Sequence, residues 1–178
     1  MIISKLMKNI KFYTLLIAIL GLTSTSFAQS SATLSNNSVG ATIHLPITLS
    51  NTTALNFGGV VSSVAGGTVV LNAATSARTV AGVTIPAGLA GTVAAGLFTV
   101  SGHKSAAYSI SIPSTPVTIT GPGSKTMTVG TFTSTKTSGT ISATTGTDTF
   151  SVGATLNVGA NQDAGVYTGT YVVTVAYQ

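Results

Sequence analysis

The 178-residue chain contains no cysteine, no tryptophan and no glutamate, and its only acids are Asp148 and Asp163. Each absence removes a class of chemistry. Without cysteine there is no disulfide framework, no thiolate metal centre and no lipidated cysteine anchor. Two aspartates, each beside turn-forming residues, are poor material for the carboxylate pair of a glycosidase, and both read as turn formers. Charged residues make up 5% of the chain, against roughly 25% in ordinary soluble domains. That poverty excludes long salt-bridged helices and coiled coils.

The formal net charge of +5 invites a nucleic-acid partner, but its distribution does not support one. Lys5, Lys8 and Lys11 all fall in the first eleven residues. Beyond residue 28 the basic residues are Arg78, Lys104, Lys125 and Lys136, and the net is +2. Charges so few and scattered cannot form a stripe that neutralises several phosphates, so no nucleic acid is expected. Lys104, Lys125 and Lys136 read as solubilising loop charges.

The early lysines belong to an export signal. A basic start, an apolar stretch from Tyr13 to Leu22, and the small-residue frame Ser26-Phe27-Ala28 are the three parts of a cleavable signal peptide over residues 1–28. Ten apolar residues cover only half of the roughly 20 that span a bilayer, so no membrane anchor is expected. The chain is therefore expected to be exported, passing through a periplasm to a surface fibre or to secretion. Cleavage leaves residues 29–178, enough for one hydrophobic core. Residues 29–40 (QSSATLSNNSVG) are small and polar and read as a flexible leader, and residues 41–178 as a single domain.

That domain reads as strands. Apolar and polar residues alternate with the period of two that marks a half-buried strand. Ala41, Ile43, Leu45, Ile47 and Leu49 alternate with polar positions that include His44. Tyr108, Ile110 and Ile112 form a second set, and Phe150 to Val158 a third. Tyr167, Gly169, Tyr171, Val173, Val175 and Tyr177 share one face of a last strand. Gly- and Pro-rich turns punctuate these runs about every ten residues, which argues for an antiparallel sandwich or barrel. Met127 and Val129 fit one face but Phe132 has the wrong parity, so a bulge is expected near Gly130. The one helical expectation after the signal is a short turn over residues 93–96.

Catalytic and metal motifs are missing. Two histidines, one on the polar face of a strand (His44) and one in a hairpin turn (His103), have no zinc spacing and no nucleophile elbow beside them. Asn161-Gln162-Asp163 is a weak cluster for calcium and reads better as a turn. No enzyme activity, no cofactor and no metal is expected.

Several segments together carry a resemblance: PITLSNTTALNFGGVV, then RTVAGV, LFTVSGHKSAAYSISIP, KTMTVGTF, and the terminal DTFSVGATLNVGANQDAGVYTGTYVVTVAYQ. Over residues 41–178 the chain resembles exported bacterial domain-of-unknown-function family 4402, whose members are similar to fimbrial subunits. The resemblance implies an immunoglobulin-like, pilin-like β-sandwich. Its last strand is similar to the pilin C-terminus, with Tyr177 in the characteristic place, although many pilins have a disulfide that this chain lacks.

The implied function is a structural subunit of a bacterial surface fibre or pilus, assembled by donor-strand exchange and acting in cell adhesion. In that scheme an N-terminal strand from one subunit completes the sheet of the next. Residues 41–50, with Ala41, Ile43, Leu45, Ile47 and Leu49, are the candidate donor, and the terminal strand from Tyr167 to Tyr177 is the candidate acceptor. Partners would be copies of the chain or related fibre subunits, with a periplasmic chaperone and an outer-membrane usher as helpers. The same residues 41–50 serve equally as the domain's own first strand. The rival reading is then a self-complete secreted or periplasmic binding module.

Overall fold

The structure, a computed structural model, describes residues 31–178. The expected signal peptide and the first two leader residues lie outside the described residues. Residues 31–42 contain no helix or strand, and every one of them is exposed. From Ile43 onward the chain is an antiparallel β-sandwich with no α-helix among the described residues. Its ten strands are β1 (Thr48–Thr53), β2 (Gly67–Leu71), β3 (Arg78–Ala81), β4 (Gly96–Ser101), β5 (Ala107–Ser111), β6 (Val117–Thr120), β7 (Thr126–Ser134), β8 (Ser138–Thr140), β9 (Thr147–Val158) and β10 (Thr174–Tyr177).

The long strand β9 is the hub of a seven-stranded sheet. Residues Thr147 to Val152 pair with β4 and Ala154 to Val158 with β2, and β7 takes the opposite edge. β1 then adds to β4, β3 to β2 and β6 to β7. β10, β5 and β8 form the second, three-stranded sheet. One run of chain serves both sheets. β7 pairs with β9, and a few residues later β8 pairs with β5.

The period-two pattern explains which residues face inward. Phe150, Val152, Leu156 and Val158 of β9 are buried at every second position, and Ala154 fills the place between them. Two clusters result. Phe57, Val69, Leu71, Val83 and Val129 pack with the end of β9. Phe98, Val100, Tyr108 and Ile141 pack with its beginning. Phe132 touches both clusters, and the reason is the bulge. Gly130 pairs with Thr155 but Thr133 pairs with Gly153, so β7 takes three steps where β9 takes two. The extra residue turns Phe132 inward, onto the ring of Tyr171 at 5.2 Å. Thr131 absorbs the distortion with φ of 46°, a left-handed conformation uncommon for a β-branched residue.

Four local expectations are corrected. Residues 93–96 form no helical turn. Ala94 bridges to Asn56, and Gly96 already opens β4. His44 does not lie on a strand, because pairing begins only at Thr48. Asp148 is the second residue of β9 and not a turn former. Lys136 is no free loop charge, since its Nζ lies 2.6 Å from Asp148 Oδ1. Asp163 does lie in a loop, 3.6 Å from Lys125 across an exposed pair.

The Asp148 cluster is a small polar lock at the margin of the second core, which it joins through Tyr108. Tyr108, fully buried, donates its hydroxyl to Asp148 Oδ2 at 2.9 Å, and the Thr149 N–H donates to Oδ1 at 2.8 Å. Burial alone would raise the Asp148 pKa. The hydrogen bonds from Lys136, Tyr108 and Thr149 outweigh it and hold the carboxyl below its ordinary value. Burial, and then the bond to Asp148 and its charge, push the Tyr108 phenol up.

Candidate functional site at the open sheet edges

The candidate site consists of the first and last strands of the sandwich, where the two sheets come nearest to each other without pairing. β1 is an edge strand whose one partner is β4. β10 is an edge strand whose one partner is β5. Cα atoms of β1 and β10 come within 8 Å of one another, yet no ladder joins them. An edge strand presents a row of unused N–H and C=O groups, a template for another strand.

The residues expected to act as acceptor divide by position. Val175 and Tyr177 lie in β10, opposite Ile110 and Tyr108. Tyr167, Gly169, Tyr171 and Val173 precede it, joined to β6 only by the bridge between Thr168 and Thr120. Tyr171, Val173, Val175 and Tyr177 all turn toward the second core cluster, as alternation requires, but each is only half-buried. Gly169 sits against β6, where a Cβ would meet the Thr118 carbonyl oxygen at 2.8 Å. Tyr171 is tied in most tightly. Its ring packs on Phe98 and Phe132, and its hydroxyl is buried with no hydrogen-bond partner among the described residues. Burial pushes that phenol up to about 12.

The residues expected to act as donor are split by the fold. Leu49 is in β1 opposite Val100, and Ile47 and Leu49 both pack on the second core cluster. Ala41, Ile43 and Leu45 are exposed and belong to no strand, Ile43 at 93% and Leu45 at 61%. The division falls at Pro46, which has no N–H to offer a ladder. Beside it, the Tyr177 hydroxyl donates to the Leu45 carbonyl at 2.7 Å and accepts the His103 N–H at 2.7 Å. Residues 43–47 make no turn or bend, so the chain enters β1 without reversing.

The segment Leu55-Asn56-Phe57-Gly58 has a structural role. Phe57 is buried, and Asn56 Oδ1 accepts the Gly58 N–H at 2.8 Å. Gly58 has φ of 70°, and a Cβ there would meet the Ala90 carbonyl oxygen at 2.3 Å, so only glycine fits. Arg78 closes the loop by donating to the carbonyls of Phe57 and Gly59 at 2.6 and 3.0 Å. Sequence reasoning missed this role of Arg78, and no local pattern signals it.

A family profile described as "Domain of unknown function (DUF4402)" matches residues 47–177. No curated protein and no solved structure matches the chain.

Proposed function

The chain belongs to the DUF4402 family, and from its own edges and N-terminal segment we propose that it is a structural subunit of a bacterial surface fibre, assembled by strand exchange and serving cell adhesion. The observation that carries the reading is the pairing of two features in one chain. One is an apolar acceptor face left half-covered beside open edges of β1 and β10. The other is an exposed, uncharged, alternating segment, Val39, Ala41, Ile43 and Leu45, joined directly to β1. Backbone pairing supplies the binding energy in such an exchange and alternate side chains supply the fit. Neither requires the charged groups that this sequence lacks.

Geometry favours a partner in trans. To lie beside its own β1, the segment would have to reverse between Leu45 and Thr48. A two-residue hairpin there needs positive φ at its first central residue at least. Pro46 is fixed near −65°, and Ile47 is a β-branched residue already packed in the core. The donor therefore ends at Leu45, and Ile47 and Leu49 belong to the acceptor's own fold. The signal peptide, the periplasmic route and the chaperone and usher helpers are part of the same proposal.

The test uses the absence of cysteine. Thr42→Cys and Thr174→Cys place thiols at alternating positions on the solvent side of donor and acceptor. Mixing the two single variants under oxidising conditions should yield a cross-linked dimer, and deletion of residues 31–45 should abolish assembly while leaving a folded domain. A double variant that cross-links only within one chain would overturn exchange between copies. A chain that stays monomeric at high concentration, with no cross-link of either kind, refutes the fibre reading itself.

A further inference from the structure

The only two histidines of the chain, His44 and His103, meet in space. Their ring centroids are 4.5 Å apart with planes at 89°. Neither imidazole has a hydrogen-bond partner among the described residues, so its nitrogens are free to ligate. The two come from different places, His44 from the stretch before β1 and His103 from the turn between β4 and β5. One hydroxyl positions both. Tyr177 accepts the backbone N–H of His103 and donates to the carbonyl of Leu45, the residue after His44. The rings border an open hollow of about 400 Å³, lined also by Lys104, Ser105, Tyr177 and Gln178.

We infer that His44 and His103 form a site for one divalent transition-metal ion of the class that favours imidazole: zinc, nickel or copper. Two neutral imidazoles suit these ions, whereas calcium and magnesium require oxygen donors that the hollow does not converge on them. Metal–nitrogen bonds are about 2.1 Å long, and rings this close reach one ion once the exposed His44 side chain turns. The hollow has room for waters to complete the coordination. Lys104 is the one opposing charge at the site, and its flexible ammonium weakens cation binding without blocking it. A bound ion pins the stretch before Pro46 to the β4–β5 turn. The inference stands independently of the fibre reading, since it needs only the folded domain.

Zinc or nickel titrated into the full, untagged chain at neutral pH, followed by calorimetry, is expected to show one saturable site. His44→Ala and His103→Ala should each weaken binding about tenfold or more, because each removes half of the protein ligands. Lys104→Gln should tighten it. Copper should broaden amide resonances only around residues 43–46, 102–106 and 176–178. Circular dichroism establishes that each variant is folded. No saturable binding below about 1 mM, retained affinity in either histidine variant, or broadening centred elsewhere would overturn the site.

Discussion

Replacing Tyr171 by Phe should stabilise this protein, an unusual outcome for a substitution in a packed aromatic cluster. The Tyr171 hydroxyl is buried and without a partner. Such a group keeps the desolvation cost of burial with no hydrogen bond to offset it, about 1–3 kcal/mol. Phenylalanine retains the ring that stacks on Phe132 and meets Phe98 edge-on. The expected gain is about 1–2 kcal/mol, which for a domain of this size raises Tm by about 3–6 °C. Gly96 supplies an internal control. A Cβ on Gly96 would lie 2.4 Å from the Tyr171 oxygen, and the next nearest atom, on Phe98, is at 3.3 Å. Gly96→Ala alone should therefore cost about 1–3 kcal/mol through overpacking, and most of that cost should vanish in the Tyr171→Phe background. Thermal and urea denaturation of the four proteins give the coupling energy. A fall in Tm for Tyr171→Phe would mean that the hydroxyl has a partner after all. Strict additivity between the two positions would refute the proposed contact.

Other substitutions test other parts of the fold. Asp148→Ala should destabilise by about 1–3 kcal/mol, because it strands the buried Tyr108 hydroxyl; an unchanged urea midpoint would show that the lock is ornamental. The folded-state pKa of Asp148 is lowered, so its contribution is present above the unfolded carboxylate value of about 3.9 and is lost as pH falls through the folded value. Asp148→Asn should accordingly lose less stability than the wild type on acidification below about pH 4. Thr131→Gly should raise stability by about 1 kcal/mol by relieving the left-handed strain at the bulge, and a loss would mean that its side chain contributes more than the strain costs. Arg78→Met should lower stability by about 2 kcal/mol as two carbonyls lose a charged donor, a change read directly from denaturant midpoints.

Periodicity carried most of the architecture, because a half-buried strand writes its burial into alternate residues. The strand ending at Val158, the inward face from Tyr171 to Tyr177, and the bulge that admits Phe132 were all legible that way. What periodicity could not report is where pairing begins. Ile43 and Leu45 share the alternation of Ile47 and Leu49, yet only the latter pair packs into the core, and the boundary depends on Pro46 and on the distant Tyr177. The side-chain clusters were invisible for a related reason. Asp148 finds Tyr108 and Lys136, and His44 finds His103, across strands whose adjacency no local pattern encodes. Asp148 looked like a turn residue because Gly146 and Thr147 precede it. The sheet register, and not the turn, decides its neighbours.

The chain running straight into β1 has a mechanical consequence. Cross-strand hydrogen bonds in an antiparallel ladder lie perpendicular to the strands. A pull on the residues before Pro46, directed along β1, therefore loads its bonds to β4 together in shear, and does not peel them one at a time. Tyr177 adds a tether from Leu45 to the far end of the chain, so the first and last strands share the force at the corner where it arrives.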